Sequence, residues 1–179
     1  MKCSVYIATS LDGFIAREDG DIDWLHNTVK PLPNEDYGYA AFMDSVDCLV
    51  MGRSTFEVVT GFPEYPYSTK HAVVLSSTLK SVPNNLADNV EIHSGPVTEL
   101  VNNLANRGFK HIYIDGGKTV QSFLQAGLVD ELILTRLPIL LGRGLPLFGE
   151  LEHDITLTHL TTKAYDNGLV QSHYQRVIA

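Results

Sequence analysis

Three features of this chain predict an α/β protein with a mostly parallel sheet and an antiparallel edge. Short apolar runs alternate with segments of helical periodicity through the first two thirds. Strand-like segments then dominate the end, as in a sheet finished by antiparallel pairing. Asp166-Asn167-Gly168 separates two of these segments and supplies residues that tolerate positive φ, so Ile155–Ala164 and Leu169–Val177 read as the arms of a hairpin.

Val5–Thr9 is an apolar strand, Leu11-Asp12-Gly13 a turn and Phe14–Ala16 a short return. Arg17–Asp23 is polar around Gly20 and reads as a mobile loop leading to Trp24. Lys30–Asn34, with two prolines, is a connection. Asp36–Ser45 then carries Tyr37, Ala40 and Ala41 at helical spacing, with Asn34 placed to cap it. Cys48–Met51 is a strand and Ser54–Val59 a short helix. Gly61–Tyr67 is a loop rich in proline and aromatics. Ala72–Leu75 and Val90–His93 are strands, and Val97–Asn106 is a helix with Leu100, Val101 and Leu104 on one face. His111–Ile114 is a strand ending in Asp115-Gly116-Gly117, and Thr119–Ala126 is a helix stopped at Gly127. Glu131–Leu137 is a strand broken by Pro138, and Leu141–Leu147 a glycine-containing loop.

The 179 residues fit one domain with a sizeable core, with no repeat, low-complexity tract or linker. A net charge of −8 argues against broad nucleic-acid or membrane binding. Cys3 and Cys48 lie in apolar runs and read as buried free thiols. The N-terminus opens on a strand pattern with no signal peptide or membrane span, so a cytoplasmic location is expected. The seven histidines show no metal-ligand spacing, and His26 reads as a surface residue.

Open α/β sheets bind ligands at the carboxyl ends of their strands. Three polar turns fall at such ends. Gly52-Arg53-Ser54-Thr55 follows one strand, Ser76-Ser77 another, and Gly116-Gly117-Lys118-Thr119 a third. Glycine admits close backbone approach, and a helix start with a cation favours phosphate. Arg53 can hold a phosphate bidentately. Separated phosphate-suited turns point to a dinucleotide. Arg53, the serines and Lys118 could hold an added 2′-phosphate, which favours NADPH over NADH.

The order and spacing of the motifs resemble the dihydrofolate reductase superfamily. More closely, they resemble its bacterial branch akin to the reductase domain of the riboflavin-biosynthesis deaminase-reductase. The resemblance runs through Ala8-Thr9-Ser10-Leu11-Asp12-Gly13-Phe14-Ile15-Ala16, Asp23-Trp24, Met51 to Glu57, Val74 to Ser77, Asp115-Gly116-Gly117, Val129 to Thr135 and Pro138 to Phe148. It implies a three-layer dihydrofolate-reductase-like fold with helices on both faces of a central mixed sheet. It further implies NADPH held by the three turns, Ala8 and Ile15 at the nicotinamide, and closure of the Arg17–Asp23 loop. The implied activity is hydride transfer to a pteridine- or pyrimidine-like molecule, as in 5-amino-6-(5-phosphoribosylamino)uracil reductase. Asp36, with Glu35 as its rival, falls where the family has its active-site carboxylate, and Thr135 where a threonine supports that carboxylate. The substrate side is expected at Trp24, Tyr37, Ala40, Val59 and Lys70. Lys70 replaces the arginine that grips a folate tail and lacks its fork. Ala40 replaces a stacking aromatic. Lys70, Arg136 and Arg143 are the cations available to a ribose phosphate. The alternatives are a weak, broad dihydrofolate reductase and a non-catalytic nucleotide-binding dimer. The resemblance also makes a homodimer plausible.

Overall fold

The computed structural model describes residues 1–177. Its strands are β1 (Lys2–Ser10), β2 (Phe14–Ala16), β3 (Cys48–Gly52), β4 (His71–Leu75), β5 (Val90–His93), β6 (His111–Asp115), β7 (Glu131–Leu137), β8 (Leu145–Pro146), β9 (Leu157–Ala164) and β10 (Val170–Arg176). Its helices are α1 (Trp24–Asn27), α2 (Tyr39–Ser45), α3 (Arg53–Thr60), α4 (Val97–Asn106) and α5 (Gly117–Gln125). An eight-stranded sheet runs in the order β5-β4-β3-β6-β1-β7-β10-β9. From β5 to β7 all neighbours are parallel, and β10 and β9 finish the sheet antiparallel. A separate small sheet pairs β2 with β8.

The central strands are apolar at nearly every position because both faces are covered. Alternation sends Val50, Val73, Ile112 and Ile114 to one face, where Leu100 and Leu104 of α4 and Val120 and Phe123 of α5 pack. It sends Leu49, Met51, Val74 and Tyr113 to the other, against Phe42 of α2 and Phe56 and Val59 of α3. Helices on both faces complete the three layers. A third cluster, Trp24, Leu137, Tyr165 and Leu169, sits under the loops beside β7. No helix among the described residues is long and apolar enough to cross a membrane.

Several boundaries differ from expectation. The helix expected over Asp36–Ser45 begins only at Tyr39. Asn34 and Tyr37 adopt φ values of 58° and 60°, which breaks the helix there. The Asp36 carboxylate, rather than Asn34, receives the free N–H groups of Gly38 and Ala40, at 2.9 and 3.0 Å. The loop expected over Leu141–Leu147 contains β8, and Trp24 opens a single helical turn.

At the opposite edge of the sheet from the turns, Glu131 gathers Lys2 Nζ at 2.8 Å, Ser4 Oγ at 2.6 Å and His173 Nε2 at 2.7 Å. This stitch joins β1, β7 and β10 where their polar ends would otherwise be unsatisfied.

Phe123 is fully buried and fixes α5, whose first residues form the glycine turn, on the sheet. Phe123→Ala is expected to cost about 3–5 kcal/mol. Urea unfolding followed by circular dichroism would measure that loss.

Candidate active site

The carboxyl ends of β4, β3 and β6 lie side by side, with Gly52 opposite Leu75 and Met51 opposite Asp115. The three predicted turns therefore meet along one edge. Gly52 caps α3, and Arg53 is its first residue. The Arg53 guanidinium reaches Glu57 Oε1 at 2.7 Å and donates to Thr78 Oγ1 at 3.0 Å, which ties α3 to the turn after β4. Ser76 Oγ accepts from the N–H groups of Thr78 and Leu79 at 3.2 and 2.9 Å, so its hydroxyl shapes that turn. Ser54, Ser77 and Lys118 stand exposed at these turns.

Gly116 caps α5 at φ 89°. A side chain there would collide with Thr55 Oγ1. A Cβ on Gly117 would come within 2.9 Å of Ile15 Cδ1 and 3.0 Å of the Pro146 carbonyl. Bare backbone is thus the only wall this spot admits. Thr119 is buried, its hydroxyl against Gly52, so it packs the turn instead of facing solvent.

A second group of polar residues occupies the neighbouring strands on the α2 side. Ala8, Thr135 and Gln171 form one row across β1, β7 and β10. Tyr6 donates to the Tyr37 carbonyl at 2.8 Å, and Tyr113 donates to the Tyr6 carbonyl at 3.0 Å. Asp115 ends β6 immediately before the glycine pair. Its Oδ1 accepts the Gly116 N–H at 2.8 Å. Burial pushes its carboxyl up to about 6, a rise the Gly116 N–H only partly offsets. Tyr39, Tyr67 and Tyr113 lie within reach of this carboxylate, and burial together with its charge holds their phenols above the ordinary value.

The residues expected on the substrate side are dispersed. Asp36 is exposed, and its two oxygens are occupied by Gly38 and Ala40, whose N–H groups hold it below the usual carboxylate range. Glu35 is bound by Lys163 at 3.0 Å and by the Tyr37 N–H at 2.8 Å, and is likewise lowered, chiefly by Lys163. The Thr135 hydroxyl accepts from Gln171 at 3.0 Å and is not bonded to Asp36. Lys70 donates to the Val46 carbonyl at 2.7 Å and so fixes the end of α2. Val59 is buried in the core, and Ala40 is exposed on α2. Tyr37 Oη accepts from Asn167 at 2.9 Å. Trp24 is 3% exposed, and its Nε1 has no partner among the described residues. It lines a cavity with Arg17, Asp21, Asp23 and Pro138. Tyr6 and Gln171, and any part for Asp115 beyond its glycine turn, are not legible in the sequence pattern. A carboxylate closing an apolar strand just before two glycines marks that turn; a tyrosine and a glutamine inside strands carry no signal. Among the described residues no cluster of His, Cys, Asp or Glu could hold a metal.

Parallel strands with helices on both faces, an antiparallel hairpin and polar turns along one carboxyl edge define a protein of the dihydrofolate-reductase-like class. The chain belongs to the RibD C-terminal domain family, whose model matches residues 2–171. It is 36% identical over 177 residues to the uncharacterised protein YwjB of Bacillus subtilis, covering 98% of each chain. A candidate riboflavin biosynthesis protein from Shewanella sp. PV-4 superposes with a TM-score of 0.94 at 44% identity, over 99% of this chain and 100% of that one. Dihydrofolate reductase from Enterococcus faecalis, complexed with NADP(H), shares the fold with a TM-score of 0.65 at 21% identity, over 98% of this chain and 96% of its own.

The Asp115 carboxyl has a pH signature. Its folded value of about 6 lies above its ordinary 3.8. Below that ordinary value both folded and unfolded forms hold the proton, and nothing is lost. Between the two values the unfolded chain releases a proton the folded chain keeps, so stability falls as pH rises. The loss is complete above the folded value, at about 2–3 kcal/mol. Asp115→Asn is expected to stabilise the protein by that amount at neutral pH and hardly at all near pH ~4. Denaturant melts at both pH values would show the difference, and a gain of equal size at both would contradict it.

Proposed function

We propose that this protein is an NADPH-dependent reductase of a pyrimidine- or pteridine-like heterocycle, of the riboflavin-pathway type. The observation that carries the reading is the line of three anion-suited turns ending beside a half-buried carboxylate. The Gly116-Gly117 turn opens α5, whose first N–H groups suit a pyrophosphate, and close packing on Thr55, Ile15 and Pro146 keeps that turn free of side chains. Arg53, Ser77 and Thr78 fit the 2′-phosphate end, and Lys118 adds charge beside the α5 start. Ile15, against Gly117, and Ala8 of β1 supply apolar surface for the nicotinamide in this reading. The bound cofactor supplies the hydride.

The proton-handling role belongs to Asp115 in this reading rather than to Asp36. Asp36 is ionised, exposed and committed to its own turn. Asp115 keeps its proton to higher pH, so near neutrality a usable fraction can donate to a ring nitrogen. In this reading the Arg17–Asp23 loop, which turns through Gly20 at φ 90°, closes over the bound cofactor and excludes water.

Calorimetric titration with NADPH and NADH, followed by assays of NADPH oxidation with aminopyrimidine substrates, tests the reading. Arg53→Ala is expected to weaken NADPH about 10–100-fold, the worth of a charge-assisted contact, with NADH changed much less. Asp115→Asn should keep NADPH affinity and lose turnover by about 100-fold or more. Failure of the wild-type protein to bind NADPH would remove the proposal. Binding with no turnover of any such substrate would leave a nucleotide-binding protein.

A further inference from the structure

Gln171 sits at the centre of a hydrogen-bond cluster beside Thr135. Its Nε2 lies 3.0 Å from Thr135 Oγ1, 3.1 Å from Tyr6 Oη and 3.1 Å from the Tyr37 carbonyl oxygen. A carbonyl can only accept, so the amide nitrogen and not its oxygen must face this cluster. Tyr6 spends its single hydroxyl proton on the same carbonyl at 2.8 Å. The Gln171 amide has two N–H groups, one for the Tyr37 carbonyl and one shared between Thr135 Oγ1 and Tyr6 Oη, so Thr135 Oγ1 accepts and its own O–H turns elsewhere. Among the described residues that proton meets no acceptor, although Thr135 is only 7% exposed. A buried donor without a partner is costly unless a ligand satisfies it. Thr135 stands next to Ala8 in the register, near the carboxyl end of β7.

We infer that Gln171 is a positioning residue that fixes the Thr135 hydroxyl as a hydrogen-bond donor to a ring carbonyl oxygen of the substrate. The inference rests on the reductase reading for the ligand's being a heterocycle, and it adds the atom that is recognised. An amide at position 171 leaves Thr135 no choice of direction. A carboxylate there would accept the Thr135 proton and withdraw it from the ligand. Tyr37, at φ 60°, has its carbonyl held by the same amide, so the substrate-side loop and the donor are set together.

The test uses two probes on the full chain saturated with NADPH, read by calorimetry. 5,6-Diaminouracil carries ring carbonyls; 2,4-diaminopyrimidine carries none. The wild type is expected to bind the uracil about tenfold more tightly. Thr135→Val and Gln171→Glu should each erase that preference and lose no more of it when combined, and Thr135→Val should leave the diaminopyrimidine affinity unchanged. Thr135→Ser should keep the preference. Thr135→Val is nearly isosteric and preserves the fold if the Glu variant does not. Equal loss for both probes, additive losses, or a wild type that does not prefer the uracil would overturn the inference. NADPH binding measured on the same protein separates the outcomes. Intact NADPH affinity with no uracil preference sinks the Thr135 assignment and leaves the reductase reading standing, while absent NADPH binding sinks the reading itself.

Discussion

The arrangement depends on how closely the turn after β6 approaches its neighbours. Gly116 lies against Thr55 of α3, and Gly117 lies against Ile15 of β2 and Pro146 of β8. One turn without side chains thus touches the helix that carries Arg53 and the small sheet that carries Ile15. Any side chain at Gly116 would have to move α3, and Gly116 also needs a φ of 89°. The same turn opens α5, whose first N–H groups have no partner within the helix. Fold and candidate site are therefore the same contacts seen from two sides.

The central strands β3, β4 and β6 were readable because both their faces are covered and they are apolar at nearly every position, and two less apolar strands were readable from their flanking turns. Val90–His93 and Glu131–Leu137 match the observed bounds, as does the helix Val97–Asn106 with its buried Leu100 and Leu104. The start of α2 was not readable. Asp36 accepts N–H groups that a helix would otherwise leave free, and the chain turns through positive φ at Asn34 and Tyr37, which no local propensity announces. β8 escaped because two residues paired with β2 are held by tertiary contact alone. In the site, glycine and arginine turns carry a local signal. Gln171 carries none, since its role exists only where β10 pairs with β7.

Environment sorts the carboxylates. Asp12 accepts from Ser10 Oγ at 2.6 Å and from the N–H groups of Gly142 and Leu141, and is lowered by them, Ser10 foremost. Asp36 and Asp47 are lowered by backbone N–H donors, chiefly those of Gly38 and Lys110. These acids organise turns and are held ionised. Asp115 receives one N–H and lies half-buried, and its shift runs the other way. Charge held by donors is structural currency in a loop; charge denied solvent beside a groove suits proton transfer. Spacing along the chain points to Asp36, and the proposed proton-handling role of Asp115 rests on its burial.

The antiparallel finish of the sheet has a consequence for the groove. The loop before α2 holds two non-glycine residues at positive φ, a conformation that persists only where surrounding contacts over-determine it. Those contacts come largely from the hairpin and its neighbours. Lys163 binds Glu35 at 3.0 Å, and Asn167 reaches the Lys30 carbonyl at 3.1 Å and Tyr37 Oη at 2.9 Å. Gln171 and Tyr6 share the Tyr37 carbonyl. Lys163 also lies over the Tyr165 ring at 4.2 Å, and Tyr165 packs edge-on against Tyr37. Three residues of β9, the turn and β10 thus bind one short loop by polar contacts, which are directional where apolar packing is not. A parallel strand at this edge would need a crossover connection and could not bring its turn back over the same loop. The switch from parallel to antiparallel pairing at β7 therefore gives the substrate side a wall of fixed shape, and it places Gln171 in register with Thr135.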